Sequence, residues 1–483
     1  MRAERNKPNI LLISADQMRA DAMGCAGNPV ITPNIDRLAA EGTLFERAYC
    51  VNPVCTPSRA AIFTGRYPHC TGAWSIGVSL NEEEITLCDH LKPLGYRCVA
   101  NGKMHFRPEL NERDSHPGAS PAPVRFRNRP SDGTYYGFDE HHLTEDHPEG
   151  EYLEWLQHVA PEQNLNGDHG NESLHEKGGM LPPELHQTRW IADRSIETIR
   201  SHDSAFPLFM WTSFVDPHHP FNAPHAYVEK YRNASVADPV KRPGELDLRP
   251  DHLRHQGERG YWPGGGEEHQ YTDEQVRHII RNYYAMITFI DEQIGRIRAA
   301  LLDRGMLENT IVIFTSDHGE LLGDHGLMMK GPWHYEGAIR VPMIFRGPAI
   351  AKGIRTQALM ENADILPTLL QLIGKKVPYG VQGLSQAPVL EGKSAGERDS
   401  IVCSYDAHDR GIRLKTLCSG RFKLNVFADE SYGELFDLRE DPCELHNRFF
   451  DSAFAPERAR LFEMLASRMI QDEDPLPERK ALY

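Results

Sequence analysis

Four short apolar runs in this chain stop on polar side chains able to carry chemistry, and that pattern limits the fold more than any other feature. PNILLISADQ ends on Asp16 and Gln17, YRCVA is followed by Lys103 and His105, PLFMWTSF runs into DPHHPF with His218, and NTIVIFTSDHGE ends on Asp317 and His318. Unbroken apolar runs of this kind read as strands buried on both faces. Helical patterns separate them. Thr32 and Pro33 fit the N-cap and first turn of NIDRLAAEG, which stops at Gly42, and Pro57 suits the first turn of SRAAIFTG. The longest pattern, TDEQVRHIIRNYYAMITFIDEQIGRIRAALLDRG, opens with Thr272 and Gln275 as a capping box and closes on Gly305. Strands alternating with helices predict an α/β fold, a large, mostly parallel sheet sandwiched by helices. In such sheets ligands bind beyond the carboxyl ends of the strands, where these seven polar residues fall.

The remaining chain is organised differently. Residues 107–188 and 222–270 are rich in Pro, Gly, His and acidic residues and read as loop-rich insertions. The first is expected to shape a pocket rim, with Tyr135, His141, His142 and Trp155. After ADILPTLLQLIG, the stretches IRLKTLCSG, RFKLNVF and ELFDLRED predict short antiparallel strands, followed by a helix over PERARLFEMLASRMIQ. The expected division is a catalytic α/β domain over 1–385 and a smaller α+β subdomain over 386–483.

A net charge of −16 opposes an extended basic face, so neither nucleic acid nor an anionic membrane surface is expected as a partner. The apolar run from Ile10 to Ile13 meets Asp16 before it could form a signal-peptide core, and no stretch approaches the length of a membrane span. As written the chain is expected to be cytoplasmic; a chain already relieved of a signal peptide would read the same and be periplasmic or secreted. The 9 cysteines include no CxxC pair and no zinc-ligand spacing. All but Cys55 read as small buried hydrophobes or free thiols.

Cys55 differs in position. Pro57 puts it at or just before a helix N-terminus, where free N–H groups favour an anion. Asp16 and Asp317 are hard oxygen donors and Gln17 adds a carbonyl, a set suited to calcium or magnesium better than zinc. Arg59, Lys103, His105 and Lys330 would surround such a cation with positive charge, as a substrate with several anionic oxygens on a tetrahedral group requires.

The stretch Cys55-Thr56-Pro57-Ser58-Arg59, followed by Thr64-Gly65, resembles the CxPxR…TG element of the type I sulfatases, in the alkaline phosphatase superfamily. The resemblance extends through ADQ, TPNIDRLAAEG, GKMH, PHHPF, TSDHGE, KGPWHYEGAIRVP and ELFDLREDPCELHN, over nearly the whole chain. It implies an alkaline phosphatase-like fold and hydrolysis of a sulfate monoester, on a carbohydrate or aryl substrate. It also implies that a formylglycine-generating maturation enzyme oxidises Cys55 to Cα-formylglycine. A thiolate would attack sulfate poorly, whereas the hydrated aldehyde offers one hydroxyl as nucleophile and a second to expel the sulfate. By the same resemblance Asp16, Gln17, Cys55, Asp317 and His318 hold Ca2+, with Mg2+ or Mn2+ as alternatives, and Asp317 also helps deprotonate the attacking hydroxyl. Arg59 and Lys103 stabilise the hydrate. His105 takes the second hydroxyl's proton, and His218 and Lys330 grip the sulfate and assist the leaving alcohol.

Two positions depart from the common pattern: many relatives have Asp where this chain has Gln17, and Asn where it has His318. Gln17 is shared with phosphonate monoester and phosphodiester hydrolases of the superfamily, which form the alternative reading. Those hydrolases lack the lysine and histidine of GKMH, which this chain has as Lys103 and His105, and the balance favours sulfate.

Overall fold

The computed structural model describes residues 7–107, 134–146, 148–162, 181–245, 247, 249–250, 271–407 and 411–475. Parts of both expected insertions, 108–133, 147, 163–180, 246, 248 and 251–270, lie outside these residues. Among the described residues the main sheet has eight strands: β1 Asn9–Ala15, β2 Thr43–Tyr49, β3 Arg97–Gly102, β4 Glu140–Leu143, β5 Leu208–Phe214, β6 Thr310–Ser316, β7 Met343–Arg346 and β8 Ile354–Glu361. Their order is β4-β3-β5-β1-β6-β7-β2-β8. β7 runs antiparallel to both neighbours, and the other pairs are parallel.

Every residue of β1, β5 and β6 is buried, as their unbroken apolar runs require. Alternation along β1 sends Ile10 and Leu12 into one core and Leu11 and Ile13 into the other. Helices Cys55–Thr64 and Ile365–Leu372 cover the first face, through Ala60, Ile62, Phe63, Leu366 and Leu369. Helices Pro33–Glu41, Gln187–Ser201 and Asp273–Asp303 cover the second, through Ile35, Leu38, Ile191, Tyr283 and Ile287. Each fully buried large aliphatic side chain contributes about 1.5–3 kcal/mol. The long helix starts on the Thr272–Gln275 capping box expected from its sequence, and Gly305 follows it with φ 64°.

The segment read as the first insertion supplies a strand of the main sheet. β4, with sequence EHHL, carries no apolar run and is held at the edge by parallel pairing with β3 from Val99↔Glu140 to Gly102↔Leu143. Tyr135 and Trp155, expected at a pocket rim, are half-buried against neighbours. Tyr135 lies against Phe106, Tyr136 and His141, and Trp155 stacks on Tyr152 beside the second core. His142 is held between Glu140 and Glu151.

A second, antiparallel sheet follows, with β9 Ser400–Ala407, β10 Ile412–Ser419, β11 Phe422–Phe427 and β12 Gly433–Asp437 in the order β12-β11-β10-β9. Leu461 and Leu465 of the helix Ala455–Gln471 pack with Val402, Leu417, Leu424 and Leu435 of this sheet. Tyr405, Ile412, Leu414 and Phe427 pack with Val54, the residue before Cys55, and the Ser404 amide donates to the Val51 carbonyl at 2.8 Å. The second sheet thereby buttresses the segment that presents Cys55. No helix among the described residues is long and apolar enough to cross a membrane.

Candidate active site

Parallel register brings the polar strand ends together. Ala15 pairs with Ser316 on one side and Phe214 on the other, and Gly102 pairs with Ser213. The residues that follow, Asp16, Asp317 and Lys103, therefore leave adjacent strands side by side. Gly102 is required where it stands: a Cβ there would meet the Ser213 carbonyl oxygen at 2.0 Å, and its φ is 97°. Gln17 and His105 also adopt left-handed backbone conformations, with φ 63° and 52°. Such strain persists only where neighbours fix it. The Gln17 N–H donates to Asp317 Oδ1 at 3.1 Å and its carbonyl accepts from Tyr283 Oη at 2.7 Å, while the His105 N–H donates to Glu145 at 3.0 Å.

Cys55 is the first residue of its helix and is fully buried. Its sulfur lies 3.2 Å from Lys330 Nζ, 3.2 Å from His318 Nε2, 3.7 Å from Lys103 Nζ and 3.8 Å from Asp16 Oδ1. Burial alone pushes the thiol up, but the ammonium groups of Lys103 and Lys330, with His318 and His105, more than reverse this and hold it well below its ordinary range. Burial and Asp36 instead push Cys25 up to about 12, and burial raises Cys70 to about 11.

Arg59 ties the carboxylates together. Its Nε donates to Asp317 Oδ2 at 2.7 Å, its Nη2 to Asp16 Oδ2 at 3.1 Å, and its Nη1 to Ser213 Oγ and the Lys103 carbonyl. Burial would raise the Asp317 carboxyl, but Arg59 and His318 hold it below the usual range, so it stays ionised. Lys103 Nζ sits 2.5 Å from Asp16 Oδ2. Asp16, Cys55, Asp317 and His318 each bring a ligand atom to one place, all within 4.8 Å of one another. Two carboxylates beside an imidazole form a donor set that fits a divalent cation.

The ten residues picked from the sequence converge. Asp16, Gln17, Cys55, Arg59, Lys103, Asp317, His318 and Lys330 form one buried contact network. His105 helps to hold the Cys55 thiol low, and its Nδ1 has no partner among the described residues. His218 joins through a residue the sequence reading missed. Asp146, three residues past β4, contacts the Lys103 ammonium and lies 3.9 Å from His218 Nδ1. Burial would raise its carboxyl, but His218 and Lys103 hold it well below the usual range. Its signal in the sequence, the ED pair after EHHL, lay in a stretch without strand periodicity. Glu320, within the quoted TSDHGE, was also missed; its Oε2 accepts from Gln17 Nε2 at 2.5 Å.

A nucleophilic position under two ammonium groups, beside an anionic donor set at the crest of a parallel sheet, defines a hydrolase of anionic tetrahedral esters. Comparison with known proteins narrows the class. The chain belongs to the sulfatase family of the alkaline phosphatase superfamily: the Sulfatase family model matches residues 8–375, and the model for N-sulphoglucosamine sulphohydrolase, C-terminal, matches residues 323–471. It is 32% identical over 467 residues to the arylsulfatase of Clostridium perfringens, covering 91% of this chain and 90% of that one. Its fold matches the phosphonate monoester hydrolase of Agrobacterium radiobacter with a TM-score of 0.83, at 28% identity and over 97% and 96% of the two chains. It also matches, with a TM-score of 0.74 and 25% identity over 98% and 100% of the chains, a protein solved with its substrate D-glucosamine-2-N,6-O-disulfate. The protein is an enzyme of this family, a sulfuric ester hydrolase.

Proposed function

We propose that the protein cleaves sulfate monoesters of saccharides, ahead of small aryl or alkyl sulfates. Side chain 55 is the nucleophile, after a formylglycine-generating enzyme has matured it from cysteine to Cα-formylglycine. The observation that carries this reading is the convergence of Lys103, Lys330 and His318 on the Cys55 sulfur. Asp16, Gln17, Asp317, His318 and side chain 55 would hold a divalent cation, calcium ahead of magnesium or manganese, because two hard carboxylates dominate the set. When bound, it would offset the charge of the sulfate and polarise its oxygens.

The chain's own groups account for the remaining chemistry. Lys103 and Lys330 supply positive charge where sulfate oxygens must sit. Asp317 Oδ2, bonded to Arg59, keeps a lone pair for the attacking hydroxyl's proton. His105, with Nδ1 unpaired among the described residues, takes the proton whose loss releases sulfate. His218 and Lys330 offset the charge on the departing alcohol. Saccharide substrates are favoured by the fold-level match to the protein solved with a glucosamine disulfate. A panel of sulfated mono- and disaccharides tests this; turnover of aryl sulfates alone would contradict it.

A second reading, hydrolysis of phosphonate monoesters or phosphodiesters, is favoured by Gln17 and by the match to the Agrobacterium radiobacter enzyme. Lys103 and His105 weigh for sulfate. Paired kinetics on an aryl sulfate and an aryl phosphonate decide between them: a higher kcat/KM for sulfate is expected, and a dominant phosphonate rate would reverse the order.

A further inference from the structure

Glu320 is fully buried, and both of its oxygens are engaged. Oε1 accepts from the Leu322 N–H at 3.0 Å and the Met329 N–H at 2.5 Å; Oε2 accepts from Gln17 Nε2 at 2.5 Å. At the other end of the same amide, Gln17 Oε1 accepts from Lys330 Nζ at 2.8 Å. A carboxylate can only accept and an ammonium can only donate, so both neighbours demand the same orientation of the Gln17 amide. Met329 directly precedes Lys330, so the carboxylate that orients Gln17 also tethers the loop carrying Lys330.

We propose that Glu320 is a positioning residue that fixes the Gln17 amide with its carbonyl oxygen toward the cation site and Lys330. The proposal rests on the assignment of Gln17 as a cation ligand. It makes the hydrogen-bond polarity of this pair a determinant of cation affinity. In Glu320→Gln, the new amide oxygen keeps the bonds from Leu322 and Met329, but its NH2 faces the Gln17 NH2. Gln17 must then turn over, pointing its own NH2 at the Lys330 ammonium. Exchanging the two residues, Gln17→Glu with Glu320→Gln, restores a matched donor and acceptor and leaves one oxygen at position 17 for the cation.

The test is calorimetric titration of calcium into the metal-free protein, the Gln17→Ala variant, Glu320→Gln and the exchanged pair, with melting temperatures recorded alongside. Glu320→Gln is expected to bind calcium about 10–100-fold more weakly at unchanged melting temperature, as loss of a partner that orients a ligand typically costs. The exchanged pair is expected to return to within about threefold of wild type or better. Wild-type affinity in Glu320→Gln overturns the proposal, as does a folded exchanged pair that binds no better than the single variant. Should Glu320→Gln fail to fold, the exchanged pair decides alone: wild-type affinity supports the proposal and a loss of about tenfold or more overturns it. Unchanged affinity in Gln17→Ala would instead remove the ligand assignment of the proposed function, and the positioning role with it.

Discussion

Two of the buried charge clusters among the described residues differ in what they are built for, and of these two only one is built for chemistry. Where β8 meets the second sheet, Glu361 and Asp364 take Arg398 at 2.9 and 2.5 Å, while Arg468 contacts Glu361 and Asp472. Tyr67 Oη and the Val402 N–H also donate to Glu361. Each cation there faces carboxylates, and the backbone amides of Glu361 and Leu384 satisfy Asp364. Around Cys55 carboxylates also face the cations, but there Lys103, Lys330 and His318 converge in addition on one sulfur. Buried charge alone therefore does not mark a site. What marks it is cations gathered on a single reactive atom, a geometry that costs folding energy unless an anion arrives to occupy it.

The comparison breaks most sharply at Cys55. Cys55→Ala is expected to lower kcat/KM for an aryl sulfate by at least about 10⁴-fold, as loss of a nucleophile does, with the melting temperature moved by no more than about 3 °C. The structural cluster should respond the opposite way. Arg398→Ala leaves Glu361 and Asp364 buried without their guanidinium, and denaturant unfolding is expected to show a loss of about 3–5 kcal/mol, with turnover per folded molecule unchanged. Lys330→Ala sharpens the contrast at the site: initial-rate kinetics should show kcat/KM down about 10²–10³-fold, with little change in the denaturation midpoint.

The smallest effect is a pH dependence. Burial raises the Asp472 carboxyl from 3.8 to about 6, although Arg468 pulls it down. Because the folded state holds this proton more tightly than the unfolded chain, the contribution to stability is complete below about pH 4 and is lost as pH rises through about 6. Unfolding at about pH 4 and pH 7 should show Asp472→Asn abolishing a dependence of at most about 3 kcal/mol. An unchanged dependence would assign the titration elsewhere.

The central strands and their polar ends were legible because a strand buried on both faces must be apolar throughout, so Asp16, Lys103, His218 and Asp317 stand out where each run stops. The cysteine motif added the chemistry that position alone could not. β4 was illegible for the opposite reason: EHHL has no apolar pattern, and pairing with β3 rather than its own residues holds it in place. Asp146 was hidden with it, since its approach to Lys103 depends on that pairing. Glu320 stood in view within TSDHGE, yet its role depends on the rotamer of Gln17, some three hundred residues away in the chain.

The central claim is that position 55 works as an aldehyde hydrate held beneath two ammonium groups. Peptide mass spectrometry of protein produced with and without a formylglycine-generating enzyme, paired with turnover of an aryl sulfate, tests it directly. The expected result is a loss of about 18 Da on the peptide containing Cys55, with kcat rising in proportion to the converted fraction. Full turnover by protein whose Cys55 sulfur is intact would contradict the account.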